Sequence, residues 1–157
     1  LASHEKPSMS DEWFTPAWIF DALDVRFDLD PCNSKGGQPA NNWCAERFPM
    51  SGLEKDWFGS VWLNPPFGSR NGIVPWLERL IDHGNGIALV PNRTATDWFQ
   101  DAAEASDRMI LIRGKVKFID AWGHEGKSPG YGNVLLAYGQ AMRTALLNAN
   151  IRGFLAS

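Results

Sequence analysis

VWLNPPFG, Val61–Gly68, decides how the whole chain is read. Val61, Trp62 and Leu63 suit a buried strand. The strand then meets a polar amide, two prolines that lack a backbone N–H, an aromatic ring and a glycine. A simple strand–turn can be built this way, with Asn64 as the turn residue. The same residues also make a binding face: Asn64 offers an amide oxygen, Pro65 a carbonyl on a stiff backbone, and Phe67 a flat apolar ring. Two acceptors beside an aromatic plane suit a planar molecule that carries an amine. Accepting both amine hydrogens localises the nitrogen lone pair and makes a conjugated nitrogen a better nucleophile.

Working outward, two further apolar runs end in a polar residue and a proline, DLDPCN (Asp28–Asn33) and ALVPNR (Ala88–Arg93). Between such runs lie helical patterns. In TPAWIFDAL, Thr15 reads as N-cap and Pro16 as the first helical residue, with Trp18, Ile19, Ala22 and Leu23 on one face. VPWLERLIDHG places Val74, Leu77, Leu80 and Ile81 together and stops at Gly84. ATDWFQDAAEA starts at the N-cap Thr96. GIALVPN is a strand buried on both faces, RMILIRGKVKFID a long strand or hairpin arm, and NVLLAYG the last strand. Residues 33–52, rich in Gly, Pro and Asn, form a long loop with a short strand near Ala45–Phe48. Strands alternating with helices predict an α/β domain with a mainly parallel sheet. Its ligand-binding edge lies at the carboxyl ends of the strands, where the three proline-marked ends meet.

Composition sets the outer bounds. With 157 residues, 44% of them apolar and 21% charged, the chain suits one soluble globular domain. Leu1–Ser8 reads as a tail or expression remnant, so residues 1–9 are set apart and 10–157 form the domain. No apolar run is long enough for a membrane span, and no signal peptide is visible. Cys32 and Cys44 lack metal-ligand spacing, so no metal site is expected. Eight tryptophans are unusual at this length; most suit the core and its rim, and flat ligands such as bases also stack on such rings. Residues 1–60 carry five basic against ten acidic residues and 61–157 ten against eight, which concentrates positive charge in the second half.

Asn-Pro-Pro-Phe after a strand resembles the catalytic motif of amino methyltransferases that use S-adenosylmethionine. That motif alone does not separate adenine methyltransferases from glutamine N5 methyltransferases of proteins. SDEWFTPAWIFDAL, FDLDPCNS, GLEKDWFGSVWLNPPFG, LVPNRTATDWFQ and IRGKVKF follow one another in the order of the phage-type DNA N-6-adenine methyltransferase (Dam-like) family, over about Ser10–Gly139. Phe67 stands where that family often has Tyr, and Gly130-Tyr131-Gly132 where it is richer in Pro and Phe.

The resemblance implies a Rossmann-like methyltransferase sheet with flanking helices, S-adenosylmethionine as donor, DNA as partner, and a bacteriophage enzyme acting in the cytoplasm of a bacterial host. It implies Asn64, Pro65, Pro66 and Phe67 as the catalytic set. Asp30 would meet the methionine ammonium of the cofactor, with Pro31 and Asn33 shaping the loop. Trp13, Thr15 and Pro16 would close over the cofactor, and Asp56 and Trp57 would meet its adenine end. Glu46 is the only nearby acid for the ribose. For DNA, Arg113, Lys115 and Lys117 at spacing two would share one strand face, with Arg70, Arg93 and Thr94 beside the active edge. An inactive module that kept the pocket is the non-enzymatic alternative.

Overall fold

In the computed structural model the described residues are 13–32, 43–48, 51–66, 72–120, 122–127 and 129–156. Along the chain run α1 (Ala17–Leu23), β1 (Phe27–Asp30), β2 (Cys44–Arg47), β3 (Val61–Leu63), α2 (Val74–His83), β4 (Gly86–Pro91), α3 (Asp97–Ala105), β5 (Arg108–Ile112), β6 (Asn133–Tyr138), α4 (Gln140–Asn148) and β7 (Gly153–Ala156). They form one seven-stranded sheet in the order β2-β1-β3-β4-β6-β5-β7. None of the described helices is long and apolar enough to cross a membrane.

The mainly parallel sheet expected from the sequence is parallel only in its first half. β2, β1, β3 and β4 run together, whereas β6 is antiparallel to both β4 and β5, and β7 is antiparallel to β5. The cause is a return strand. β5 ends at the same edge as β4, and residues 113–132 turn back from that edge so that β6 descends between the two. NVLLAYG is therefore not the last strand; α4 and β7 follow it.

Strand alternation supplies two cores. Trp62, Ile87, Leu89 and Leu135 face α1 and α4, joined by Ile19, Phe20, Leu23, Met142 and Leu146. Leu63, Ala88, Val90 and Leu136 face α2 and α3, joined by Leu77, Leu80, Phe99 and Ala102. This is why β4 is buried at every position. Helix ends follow local chemistry: Gly84 closes α2 in the left-handed region at φ 72°, and Thr96 Oγ1 accepts from Phe99 N at 3.3 Å to cap α3. In α1 the cap is Pro16, not Thr15, and the buried face is Ile19, Phe20 and Leu23. Trp18 lies off that face and is exposed.

One irregularity sets the phase of β1. Asp28 N and Leu29 N both donate to Ser60 O, at 2.8 and 3.1 Å, so two residues oppose one in a β-bulge. Asp28 Oδ2 accepts from Ser60 N at 2.8 Å and from Ser60 Oγ at 3.2 Å, which locks the bulge. Phe27 consequently joins the α1–α4 core while Leu29 joins the α2–α3 core, although they are two residues apart. Gly59 supports the arrangement at φ 61°, where a Cβ would overlap the Asp28 carboxylate. Gly59→Ala is expected to lower stability by about 2 kcal/mol, read as a shift in urea midpoint at unchanged slope.

Candidate active site

The carboxyl ends of β1, β3 and β4 lie at one edge of the sheet, as the proline-marked endings predicted. Two of them bring a polar side chain to the α1 side. On β3, Trp62 faces α1, so Asn64, two residues on, emerges on the same side. On β1 the bulge makes Phe27 and Asp30, three residues apart, share that side.

Thr15 joins them from above. It precedes α1 and is 4% exposed. Because Pro16 occupies the cap position, the Thr15 hydroxyl is not spent on the helix. Asn64 Nδ2 donates to Thr15 Oγ1 at 3.3 Å across 49 residues of sequence. This fixes the amide so that its N–H side is engaged; among the described residues no donor pairs with Asn64 Oδ1. Pro65 is buried behind it and Pro66 is exposed. An acceptor oxygen held at a strand end, followed by a proline carbonyl, is what a planar amine requires.

Asp30 is the other chemically unusual group. It is 8% exposed, and burial pushes its carboxyl up from 3.8 to about 7. The Cys32 N–H, donating to Oδ1 at 3.2 Å, and the Arg47 charge oppose that rise. A carboxylate this costly to ionise is stabilised by an arriving cation.

The model of the DNA N-6-adenine-methyltransferase (Dam) family matches residues 2–144. The chain belongs to this family. It is 28% identical over 112 residues to the DNA N-6-adenine-methyltransferase of Escherichia phage T1, a match covering 67% of this chain and 46% of that protein. The chain thus spans about half the length of that curated relative. No solved structure matches it.

Within this Dam-family chain the remaining expected site residues are placed unevenly. Pro31 is buried where the backbone at Gly52 passes close to its carbonyl. Trp13 is 46% exposed and lies against Gly126, where a Cβ would overlap its ring. Trp57 is turned into the α2–α3 core: its Nε1 donates to Gly52 O at 2.8 Å, Arg79 lies 5.1 Å from its ring centroid, and Trp76 stacks on it. Its ring is committed to packing. Asp56, beside it, is exposed, as is Glu46 in β2. Asn33, Phe67 and Arg70 lie outside the described residues.

The basic stripe needs correction. β5 ends at Ile112, and Gly114 at φ 83° turns the chain out of the sheet. Arg113, Lys115 and Lys117 therefore do not share the face of one strand. Lys115 and Lys117 are exposed around the fully buried Val116, in a stretch that belongs to no strand. Arg93 and Thr94 are exposed after β4, with the Arg93 guanidinium 5.8 Å from the Tyr131 ring centroid.

Two residues at this edge escaped sequence reading. Asn133 opens β6 opposite Pro91, is 2% exposed and donates from Nδ2 to Val90 O at 3.4 Å. Asn92 donates from its backbone N to Gly132 O at 3.0 Å. Neither could be found without knowing that β6 inserts beside β4. Burial pushes the thiols of Cys32 and Cys44 up to about 12, which disfavours the nucleophilic thiolate.

Thr15→Val keeps shape but removes the acceptor from Asn64. It is expected to lower kcat for methyl transfer about 10-fold while the KM for the donor changes little. Thr15→Ser should restore most of the rate. A rise in donor KM at unchanged kcat would instead place Thr15 against the cofactor.

Proposed function

We propose that this chain transfers the methyl group of S-adenosylmethionine to the exocyclic N6 amine of an adenine turned out of DNA. The observation that carries the reading is Asn64, held by Thr15 at the end of β3, at the same sheet edge as the buried Asp30 that ends β1. Family membership supports it.

S-adenosylmethionine supplies an electrophilic sulfonium methyl when bound. Its ammonium suits the buried Asp30, whose ionisation would then be compensated. Asn64 Oδ1 and the Pro65 carbonyl accept the two hydrogens of the adenine amine and aim its lone pair at the methyl. Phe67 supplies the stacking plate. The new N–C bond forms as the S–C bond breaks, and the nitrogen then releases one proton. No strong base is required, because positioning carries the step. Turning the base out of a duplex costs a few kcal/mol, offset in part by stacking. Arg93, Thr94, Lys115 and Lys117, exposed at or leaving the same edge, would hold the phosphates.

The test is incubation with methyl-labelled S-adenosylmethionine and unmethylated DNA, followed by mass spectrometry of the nucleosides. N6-methyladenine is expected. Folded, cofactor-binding protein that yields none, or that labels protein glutamine instead, overturns the reading.

A further inference from the structure

Residues 113–132 leave the carboxyl edge at the end of β5 and return to it at β6, so the connection hangs beside the site. Within it Phe118–Gly126 builds a small hairpin. Ile119 bridges Glu125, Asp120 N donates to His124 O at 2.8 Å, and Gly126 N donates to Phe118 O at 2.8 Å. The tip is fixed by one carboxylate: Asp120 Oδ1 accepts from Trp122 N at 2.9 Å and from His124 N at 2.8 Å. Gly123, at φ 86°, completes the turn. The product is an unusual surface object, a Trp122 side chain 59% exposed on a backbone that is pinned.

Three facts give this object a partner. Residues 113–127 carry Arg113, Lys115, Lys117 and Lys127 against Asp120 and Glu125, a surplus of positive charge in the segment that bears the exposed ring. Lys117 and Glu125 pair at 3.7 Å, and Arg113, Lys115 and Lys127 are exposed. The hairpin is also tied to the site: Phe14 and Ile119 exchange backbone hydrogen bonds of 2.8 and 2.9 Å, and the next residue, Thr15, holds Asn64. An exposed aromatic ring in a segment that carries a surplus of exposed cations fits a nucleic acid rather than an apolar protein face.

We infer that the Ile119–Glu125 hairpin is a duplex-engaging arm, in which Trp122 stacks on the bases left exposed when the target adenine turns out. The inference rests on the proposed DNA methyl transfer. Opening a duplex removes stacking from the neighbours of the departing base, and Trp122 replaces part of it. A single strand has no such gap, so the contribution is specific to the duplex.

The experiment compares wild type, Trp122→Ala and Trp122→Phe on one DNA sequence supplied as duplex and as single strand. Methyl transfer and binding of the fluorescently labelled DNA are both measured. Trp122→Ala is expected to lose about 10-fold or more in transfer to the duplex and to weaken duplex binding, with single-strand transfer within about 3-fold of wild type. Trp122→Phe should retain most of the duplex activity. Equal losses on both substrates, or no loss on the duplex, overturn the arm while wild-type methylation stands. A wild-type protein that binds DNA but methylates neither form fails the function proposed above; the arm then survives only if Trp122→Ala still weakens duplex binding selectively.

Discussion

Asn64→Ala is expected to lower methyl transfer to DNA about 100-fold to 1,000-fold, the scale on which one oriented polar contact to a reacting centre acts. The alanine removes the acceptor that localises the amine lone pair. It leaves Trp62 and Leu63 buried beneath and Asp30 unaltered, so donor affinity should stay within about 3-fold of wild type. Asn64→Asp keeps an acceptor at the same place and can take a hydrogen bond from the Thr15 hydroxyl, so it should retain far more activity than alanine. Single-turnover assays with labelled donor, alongside calorimetric titration of the donor, check both halves. Comparable transfer by the alanine variant would show that Asn64 does not hold the amine.

Asp30 yields the second large effect, and its sign is set by burial. The unfolded carboxyl ionises near 3.8, whereas the folded one does so near 7. Below the lower value both states are protonated and nothing is lost. As pH rises from about 4 to 7 the unfolded state ionises first, so folded stability falls, and above 7 the loss is complete. Asp30→Asn should therefore be more stable than wild type at pH 8, by on the order of a few kcal/mol, and melt at a higher temperature. Donor binding should move the other way. An ammonium favours the ionised carboxylate, so wild-type affinity should climb with pH towards about 7 and then level off. The asparagine variant should bind about 10-fold to 100-fold more weakly, with little pH dependence through that window. Thermal melts and donor titrations at pH 5, 6, 7 and 8 test this. A wild-type affinity flat across that range would remove Asp30 from the cofactor site.

The sequence made the polar strand ends readable because prolines punctuate them, and it made α2 and α3 readable because Gly84 and Thr96 end or begin them by local chemistry. It did not reveal sheet order. Nothing in NVLLAYG says that it slots between β4 and β5, so Asn133 stayed hidden. α4 buries only Met142 and Leu146, too few apolar positions to announce a helix. Lys115, Val116 and Lys117 alternate like a strand because Val116 is buried between two exposed lysines, yet they belong to no described strand. The Thr15–Asn64 bond joins residues whose separation along the chain gives no local signal. Thr15 reads as a helix cap until the structure shows Pro16 in that place.

The doubled pairing at Ser60 bears on how this site is addressed along the chain. From the aromatic residue that anchors each strand to the polar group it delivers, β3 counts two, from Trp62 to Asn64, and β1 counts three, from Phe27 to Asp30. Counts of opposite parity should send the two groups to opposite sides of the sheet. They meet because β1 slips by one residue, and Asp28 and Gly59 hold the slip. Regular pairing of the same residues, without the slip, would keep every core residue type in the chain and yet turn Asp30 toward α2, away from Asn64. The assembly of the site is thus written as a phase between two strands, and a template built on fixed spacings would pass over it.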